Sequence, residues 1–282
     1  MKIHNFSSSF LTQNFSLYKT ITSGQFFNYY YNSKTKIFTV INGDFIFTLF
    51  QENNIIYFNS NDSIMDEKYI KNFLGLDFDT TKLELFEDEI FQKAYSNHKD
   101  LRVMNTDLFQ TIISFVCSSA ANISKIQKNI QLISQIFGKY DEYYKIYLFP
   151  NPIDINSLEK LLECKVGYRA KYILQISEFF AQNHHVLEDL HKYSYEQAHT
   201  LLCSLPGIGS KVANCICLFG LKHYGAFPVD VWIKKILIEE YNFTGGEKQL
   251  EYKAKLHFGN VAGYCQQYLF QYIRDKNRNN LK

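Results

Sequence analysis

The 282-residue sequence predicts an α+β fold, with an N-terminal antiparallel sheet domain over residues 1–95 and a larger, mainly α-helical domain over residues 96–282. Three observations predict it. Hydrophobic residues alternate with period two as far as Phe58, and they recur every three or four residues after about Asn97. Turn residues at Asn42-Gly43 and Gly138 stand where elements should stop. With 46% hydrophobic residues, 25 Phe and 21 Tyr among them, the chain can bury one large or two ordinary cores, so folding needs no metal or disulfide staple.

From about Phe15 to Phe58 the pattern is that of a sheet. KIFTVI, FIFTLF and IIYF read as strands separated by NGD and ENN, and Asn42-Gly43 suits a tight hairpin turn because both residues accept positive φ. The acidic stretch MDEKYIKNFLGLDFDTTKLELFEDEI reads as short helices leading out of the sheet. In DLFQTIISFV the residues Leu108, Ile112, Phe115 and Val116 share a helical face. In ISKIQKNIQLISQIFG the residues Ile123, Ile126, Ile130, Ile133 and Phe137 do the same, with a C-terminal stop at Gly138. SSAAN joins these two helices. INSLEKLLE, YRAKYILQISEFFA and SYEQAHTLLCSL continue the helical pattern, the last with Ser194 and Gln197 at capping-box spacing. EKQLEYKAKLHF and YCQQYLFQYIRDK close it, and the polar tail NRNNLK is expected to fray.

Composition narrows the function classes. A formal charge of +2 is too mild to announce a polyanion partner, so affinity for nucleic acid must come from local charge and backbone geometry. The six cysteines form no CxxC pair and show no zinc or cluster spacing, which suggests reduced thiols in a cytoplasmic protein. No HExxH occurs, so a zinc hydrolase or a redox protein has little support. The N-terminal MKIHNFSSSFLTQNF lacks the apolar segment of a signal peptide, and no run approaches the length that spans a bilayer.

The stretch LPGIGSKVANCICLFGLKHYGAFPVDVW carries the chemistry. Pro206 and Gly207 turn the chain after one helix, and Gly209 frees the backbone amides that open the next; exposed amides at a helix N-terminus bind an anion. A bland alternative is that these glycines only punctuate two packed helices. Helix, short glycine turn and helix together suit a helix-hairpin-helix that grips a DNA phosphate without reading sequence. Lys211 on the first turn is then either a second phosphate contact or a nucleophile, because positive partial charge and apolar packing against Val212 and Cys215 favour the neutral amine. Asp230 is expected to cap the helix that starts at Val231. A capping carboxylate can still face a cleft, where it would stabilise a cation developing on a substrate. Amine and carboxylate together suit attack at a sugar C1′ as a base departs.

LPGIGSKVANCIC followed by PVDV, with GYRAKY and SGQFF upstream, resembles the eukaryotic-type 8-oxoguanine DNA glycosylase/AP lyase family of the helix-hairpin-helix superfamily, from about Gly24 to Phe270. The resemblance implies a bifunctional enzyme that excises 8-oxoguanine from duplex DNA by base flipping, with Lys211 forming a Schiff base and Asp230 assisting cleavage of the glycosidic bond. It implies that the Gly24 carbonyl accepts the N7 hydrogen of 8-oxoguanine, that Gln266 contacts the base edge, and that Phe270 and Cys215 cover its two faces. On their own, Phe270 and Cys215 read equally as core packing. Tyr168 matches the wedging aromatic and Arg169 a group that meets the abandoned partner base, while Gly207 and Gly209 shape the DNA-gripping hairpin. The carbonyls of Cys203, Leu205 and Ile208 match the positions that hold a structural cation. No other cofactor and no iron-sulfur cluster is expected, and the partner is double-stranded DNA containing 8-oxoguanine, met by a monomer without a membrane.

SSAANISK departs from the family pattern. Ala120 and Lys125 stand where an asparagine and an arginine read the orphaned cytosine, so a relaxed preference for the opposite base is expected. Trp232 replaces a histidine near the lesion phosphates. Two rivals remain at this stage: a non-catalytic hairpin module that binds DNA, and a helix-hairpin-helix glycosylase for other damaged bases.

Overall fold

The computed structural model describes residues 6–60, 62 and 65–279, without the side chains of residues 278 and 279. Its first strand, β1 (Ser8–Leu11), is followed by α1 (Leu17–Thr22) and by β2 (Tyr29–Asn32), β3 (Ile37–Asn42), β4 (Phe45–Glu52) and β5 (Ile55–Ser60). These strands form one antiparallel sheet in the order β1-β5-β4-β3-β2. The hairpin expected at Asn42-Gly43 forms one residue later than the sequence implies: Asn42 ends β3 opposite Phe45, the turn is Gly43-Asp44, and of Asn42 and Gly43 only Gly43 takes positive φ, at +60°. The Phe15–Thr22 part of the expected sheet is instead largely helix. Ser16 accepts a bond from the Lys19 N–H, and Leu17, Thr20 and Ile21 recur at helical spacing on the buried side. β1 escapes the period-two reading because only Phe10 of its four residues is buried.

Short helices follow: α2 (Glu67–Phe73), α3 (Thr81–Glu84) and α4 (Glu89–His98). Then come α5 (Leu108–Cys117) and α6 (Ile123–Phe137), a two-residue pair of strands β6 (Tyr140–Asp141) and β7 (Ile146–Tyr147), and α7 (Leu158–Glu163). α8 (Arg169–Gln182), α9 (His185–Leu190), α10 (Tyr195–Ser204), α11 (Ser210–Leu221), α12 (Val231–Glu239), α13 (Glu247–Phe258) and α14 (Ala262–Asn279) complete the chain. The Ser194–Gln197 capping box is made in both directions. Gly138 does end α6, though with extended backbone rather than a left-handed cap; a Cβ there would lie 2.0 Å from the Leu148 carbonyl oxygen, so close approach is what requires glycine. α14 runs through the first residues of the tail expected to fray, and residues 280–282 lie outside the described residues.

Two apolar cores result. One face of the sheet packs Phe38, Val40, Phe47, Leu49, Ile56 and Phe58 against Leu17 and Ile21 of α1 and Ile70 and Phe73 of α2. The other core is helical, centred on α5, α8 and α11, and it takes in Ile41 and Ile46, a cross-strand pair at the hairpin end of the sheet. α4, which begins before residue 96 and runs past it, packs on α14 and places Phe91 and Ala94 in the helical core. Buried amides stitch the two cores together. Gln110 donates to the Ile41 carbonyl and accepts from the Gly43 N–H, while Gln25 donates to the Arg102 carbonyl and accepts from the Met104 N–H. Each is fully paired across the seam, which is what makes a buried amide an anchor and not a liability.

Candidate active site

α10, a short turn and α11 form the expected helical hairpin. Gly207 sits at φ +77°, and a side chain on it would run into the Tyr172 ring at 2.5 Å. Gly209 is the N-cap of α11 and offers no side-chain acceptor, so the first amides of that helix are left to an outside anion. Leu205 and Ile208 are buried while Cys203 is exposed, and the Leu205 carbonyl accepts the Ile208 N–H at 3.3 Å.

The start of α11 is held from behind. Ser210 Oγ donates to Glu251 Oε2 at 2.9 Å, and Glu251 pairs with Lys255 at 2.7 Å. Lys255 also reaches the Tyr195 hydroxyl, which donates to Asn214 Oδ1, and Asn214 returns a bond to the Ser210 carbonyl at 3.0 Å. This closed circuit between α10, α11 and α13 fixes the turn on which Lys211 stands. Burial drives the Tyr195 hydroxyl well above the ordinary phenol range, with Glu251 adding to the effect, so it stays a donor.

In front of α11 lies a cleft of about 900 Å³. Its walls include Gly24, Lys211, Asp230, Trp232 and Phe270, which come from a loop and three helices. Lys211 Nζ donates to Ser118 Oγ at 3.4 Å. Asp230 caps α12 as its position implies: Oδ1 accepts the N–H groups of Trp232 at 3.0 Å and Ile233 at 2.8 Å. Burial raises the Asp230 carboxyl above its ordinary value; the Ile233 and Trp232 amides and the charges of Lys211 and Arg274 pull the other way.

Cys215 stands one helical turn from Lys211, and Gln266 one turn from Phe270. Both are nearly enclosed, at 4% and 5% exposure, and neither lines the open cleft. Burial pushes the Cys215 thiol up to about 11, so it is an apolar contact and not a thiolate. Gln266 Oε1 is buried without a hydrogen-bond partner, a cost of about 1–3 kcal/mol that a ligand bond would remove.

The loop between α5 and α6 forms the rim. Ala120 is exposed with φ +51°, and Lys125 points to solvent from the first turn of α6. Tyr168 is 63% exposed beyond this rim. Arg169 is turned inward at 6% exposure, donating to the Ser119 and Val166 carbonyls with its guanidinium 4.6 Å from the Tyr168 ring centre. In this structure it props the loop, and contact with a partner base would require it to exchange those bonds.

Sequence reasoning overlooked Arg274. It lines the cleft, donates to the Ser23 carbonyl at 3.0 Å and lies 5.2 Å from the centre of the Phe270 ring. Its spacing of four from Phe270 and eight from Gln266 was the available signal.

The sequence pattern of the family described as "8-oxoguanine DNA glycosylase, N-terminal domain" matches residues 9–112. Over 233 residues the chain is 29% identical to the "Probable N-glycosylase/DNA lyase" of Methanothermobacter thermautotrophicus, covering 73% of this chain and 74% of that one. It is 28% identical to the N-glycosylase/DNA lyase of Saccharomyces cerevisiae, over 71% of this chain and 59% of the yeast protein's length. Among solved structures, it is similar to the Clostridium acetobutylicum 8-oxoguanine glycosylase/lyase in complex with dsDNA containing cytosine opposite to 8-oxoG. That likeness has a TM-score of 0.88 at 26% identity, over 97% of this chain and 99% of the other. No helix among the described residues is long and apolar enough to cross a membrane.

Proposed function

Because the chain belongs to the 8-oxoguanine DNA glycosylase family of helix-hairpin-helix proteins, we propose that it removes 8-oxoguanine from double-stranded DNA and then cleaves the strand at the abasic sugar. One observation carries the reading to this chain's own residues. Lys211 and Asp230, on separate helices, line a single cleft with Gly24 and Phe270, and its volume falls in the range of about 300–1,000 Å³ typical of pockets that enclose a small ligand.

The nucleotide leaves the stack, at a cost of a few kcal/mol, with Tyr168 filling the gap and Phe270 covering one face of the base; Cys215, enclosed behind the cleft wall, would meet the other face only if that wall opened. As the glycosidic bond breaks, its electron pair leaves with the base and positive charge grows on the sugar, where the Asp230 carboxylate stabilises it. Once its proton has passed to the departing base, the Lys211 amine bonds to C1′. Its nitrogen then gives one proton to the ring oxygen as the C1′–O4′ bond opens with its electron pair on that oxygen, and a protonated Schiff base results. Loss of a C2′ proton places that electron pair in a C=C bond and expels the 3′ phosphate. Hairpin amides between Gly207 and Lys211 hold a backbone phosphate meanwhile. The carbonyls of Cys203, Leu205 and Ile208, oxygen donors of the kind a hard cation takes, would hold a structural cation that takes no part in the chemistry. The enzyme acts as a monomer with relaxed preference for the opposite base, since Ala120 and Lys125 offer no bidentate reader.

Borohydride trapping on a duplex containing 8-oxoguanine tests the reading. A covalent protein–DNA adduct is expected from the unaltered protein and none from Lys211→Gln. Absence of an adduct in both, with DNA binding retained, would leave a hairpin that binds without catalysing.

A further inference from the structure

We propose that Arg274 is a positioning residue for the base-reading pocket, locking the Gly24 backbone to the Phe270 face of α14 so that base excision depends on it more than sugar chemistry does. This rests on the function proposed above. Gly24 and Phe270 are 246 positions apart in sequence, on a loop of the sheet region and on the last helix. Arg274 joins them with one side chain. Nη1 donates to the carbonyl of Ser23, immediately before Gly24, at 3.0 Å and to Gln271 Oε1 at 3.3 Å. The guanidinium lies 5.2 Å from the Phe270 ring centre, in range for a cation–π contact that fixes the ring's orientation.

Gly24 is clamped on its other side as well. Gln25 donates to the Arg102 carbonyl at 2.7 Å and accepts from the Met104 N–H at 2.8 Å. With φ +92°, Gly24 occupies backbone space that other residues rarely enter, and a Cβ on it would lie 3.8 Å from Arg274 Nη1 and 2.9 Å from Ile123 Cδ1. Its carbonyl can therefore be aimed only as well as its two neighbours are held, and Arg274 holds one of them. A pocket that distinguishes bases by one hydrogen bond loses rate steeply when an atom moves by about 1 Å, on the order of 10²-fold. A leucine would fill part of the space and donate nothing; a lysine would keep one donor but not the planar fork.

The experiment compares two reactions of the same protein. Single-turnover excision from an 8-oxoguanine duplex needs the pocket, whereas strand cleavage at a preformed abasic site presents no base to it. For Arg274→Leu we expect excision to fall by about 30-fold and abasic-site cleavage by less than about threefold, with Arg274→Lys between the unaltered protein and Leu in excision. The ratio of 8-oxoguanine to guanine excision should fall in the same order. Equal losses in both reactions, or undiminished excision by Arg274→Leu, would overturn the assignment. If the leucine variant fails to melt cooperatively, the lysine variant decides on the same ratio. An unaltered protein that forms no borohydride adduct overturns the proposed function and this inference with it, whereas adduct formation with parallel losses overturns the role of Arg274 alone.

Discussion

The hairpin wall of the cleft and the loop wall opposite it are built on different principles. α11 is buried along nearly its whole length, and its first turn is fixed by the Ser210–Glu251–Lys255–Tyr195–Asn214 circuit. The loop of residues 118–122 has no such circuit. It presents an exposed Ala120 in left-handed backbone and leans on one buried arginine, Arg169, for its Ser119 carbonyl. A nucleophile has to be placed to a fraction of an ångström, so rigidity belongs behind Lys211. The rim has to admit a duplex and let a nucleotide through, so it can be held weakly, and beyond Ser118, which accepts a bond from Lys211, it can change its side chains without disturbing the chemistry.

Asp230→Asn breaks the comparison most sharply, because it should separate activity from stability on the hairpin side. Asparagine caps a helix about as well as aspartate, so the bonds to Trp232 and Ile233 survive. The carboxylate, however, is lost from the cleft, and excision should drop by about 10²–10³-fold. The sign of the stability change follows from linkage. Burial raises the folded carboxyl above its unfolded value, so ionising it above the unfolded pKa costs the folded state, and removing the charge relieves that cost at neutral pH. The variant should melt at the same temperature as the unaltered protein or higher at pH 7, with the difference vanishing as pH falls below the unfolded pKa. In the unaltered protein, excision should decline as pH falls through the raised Asp230 value. A lower melting point for Asp230→Asn at neutral pH would contradict the account of that cap.

The same contrast explains what could be read from sequence. The hairpin wall lies in one contiguous stretch, and the residue types there answer to local rules: glycine at the positive φ of position 207, aspartate at the N-cap of α12, lysine on a first turn. The circuit behind Ser210 was not legible, because Glu251 and Lys255 on α13 look like an ordinary surface pair until the fold brings α10 against them. Arg274 was missed for the same reason. Nothing local distinguishes an arginine near a polar C-terminus from a solvated one, and its bond to the Ser23 carbonyl comes from the other end of the chain. α1 was misplaced in the sheet because aromatic-rich sequence before KIFTVI favours strand, while the cap at Ser16 and burial against the sheet decide for helix. Arg169 shows the limit of carrying a role over by position, since its residue type fits contact with a base while its bonds here serve the loop.

Removing that prop should cost less than losing Asp230 costs activity. Arg169→Met keeps much of the apolar stem but leaves the Ser119 and Val166 carbonyls without their donors, a loss of about 2 kcal/mol if they stay buried. For a chain of this size that is several degrees in a thermal melt. Faster proteolysis confined to the loop of residues 118–122 should accompany it. A melting point equal to that of the unaltered protein would mean that the loop wall is held by something other than Arg169.

The smallest effect sharpens the comparison furthest, because it should improve the loop wall in two ways at once. At φ +51° Ala120 sits where an L-residue with a plain Cβ is disfavoured by about 1–2 kcal/mol, whereas asparagine visits that region readily. Ala120→Asn should therefore stabilise the protein by about 1 kcal/mol in a chemical denaturation curve. The side chain is exposed at the rim, so the new amide would be free to meet a base edge, and one such contact is worth about 1 kcal/mol of discrimination at the low end. In matched duplexes the ratio of excision opposite cytosine to excision opposite adenine should rise by about fivefold, with Lys125 unchanged. Stabilisation without any change in that ratio would show that position 120 matters for backbone conformation alone. A changed ratio without stabilisation would show that the left-handed turn costs alanine little in this loop.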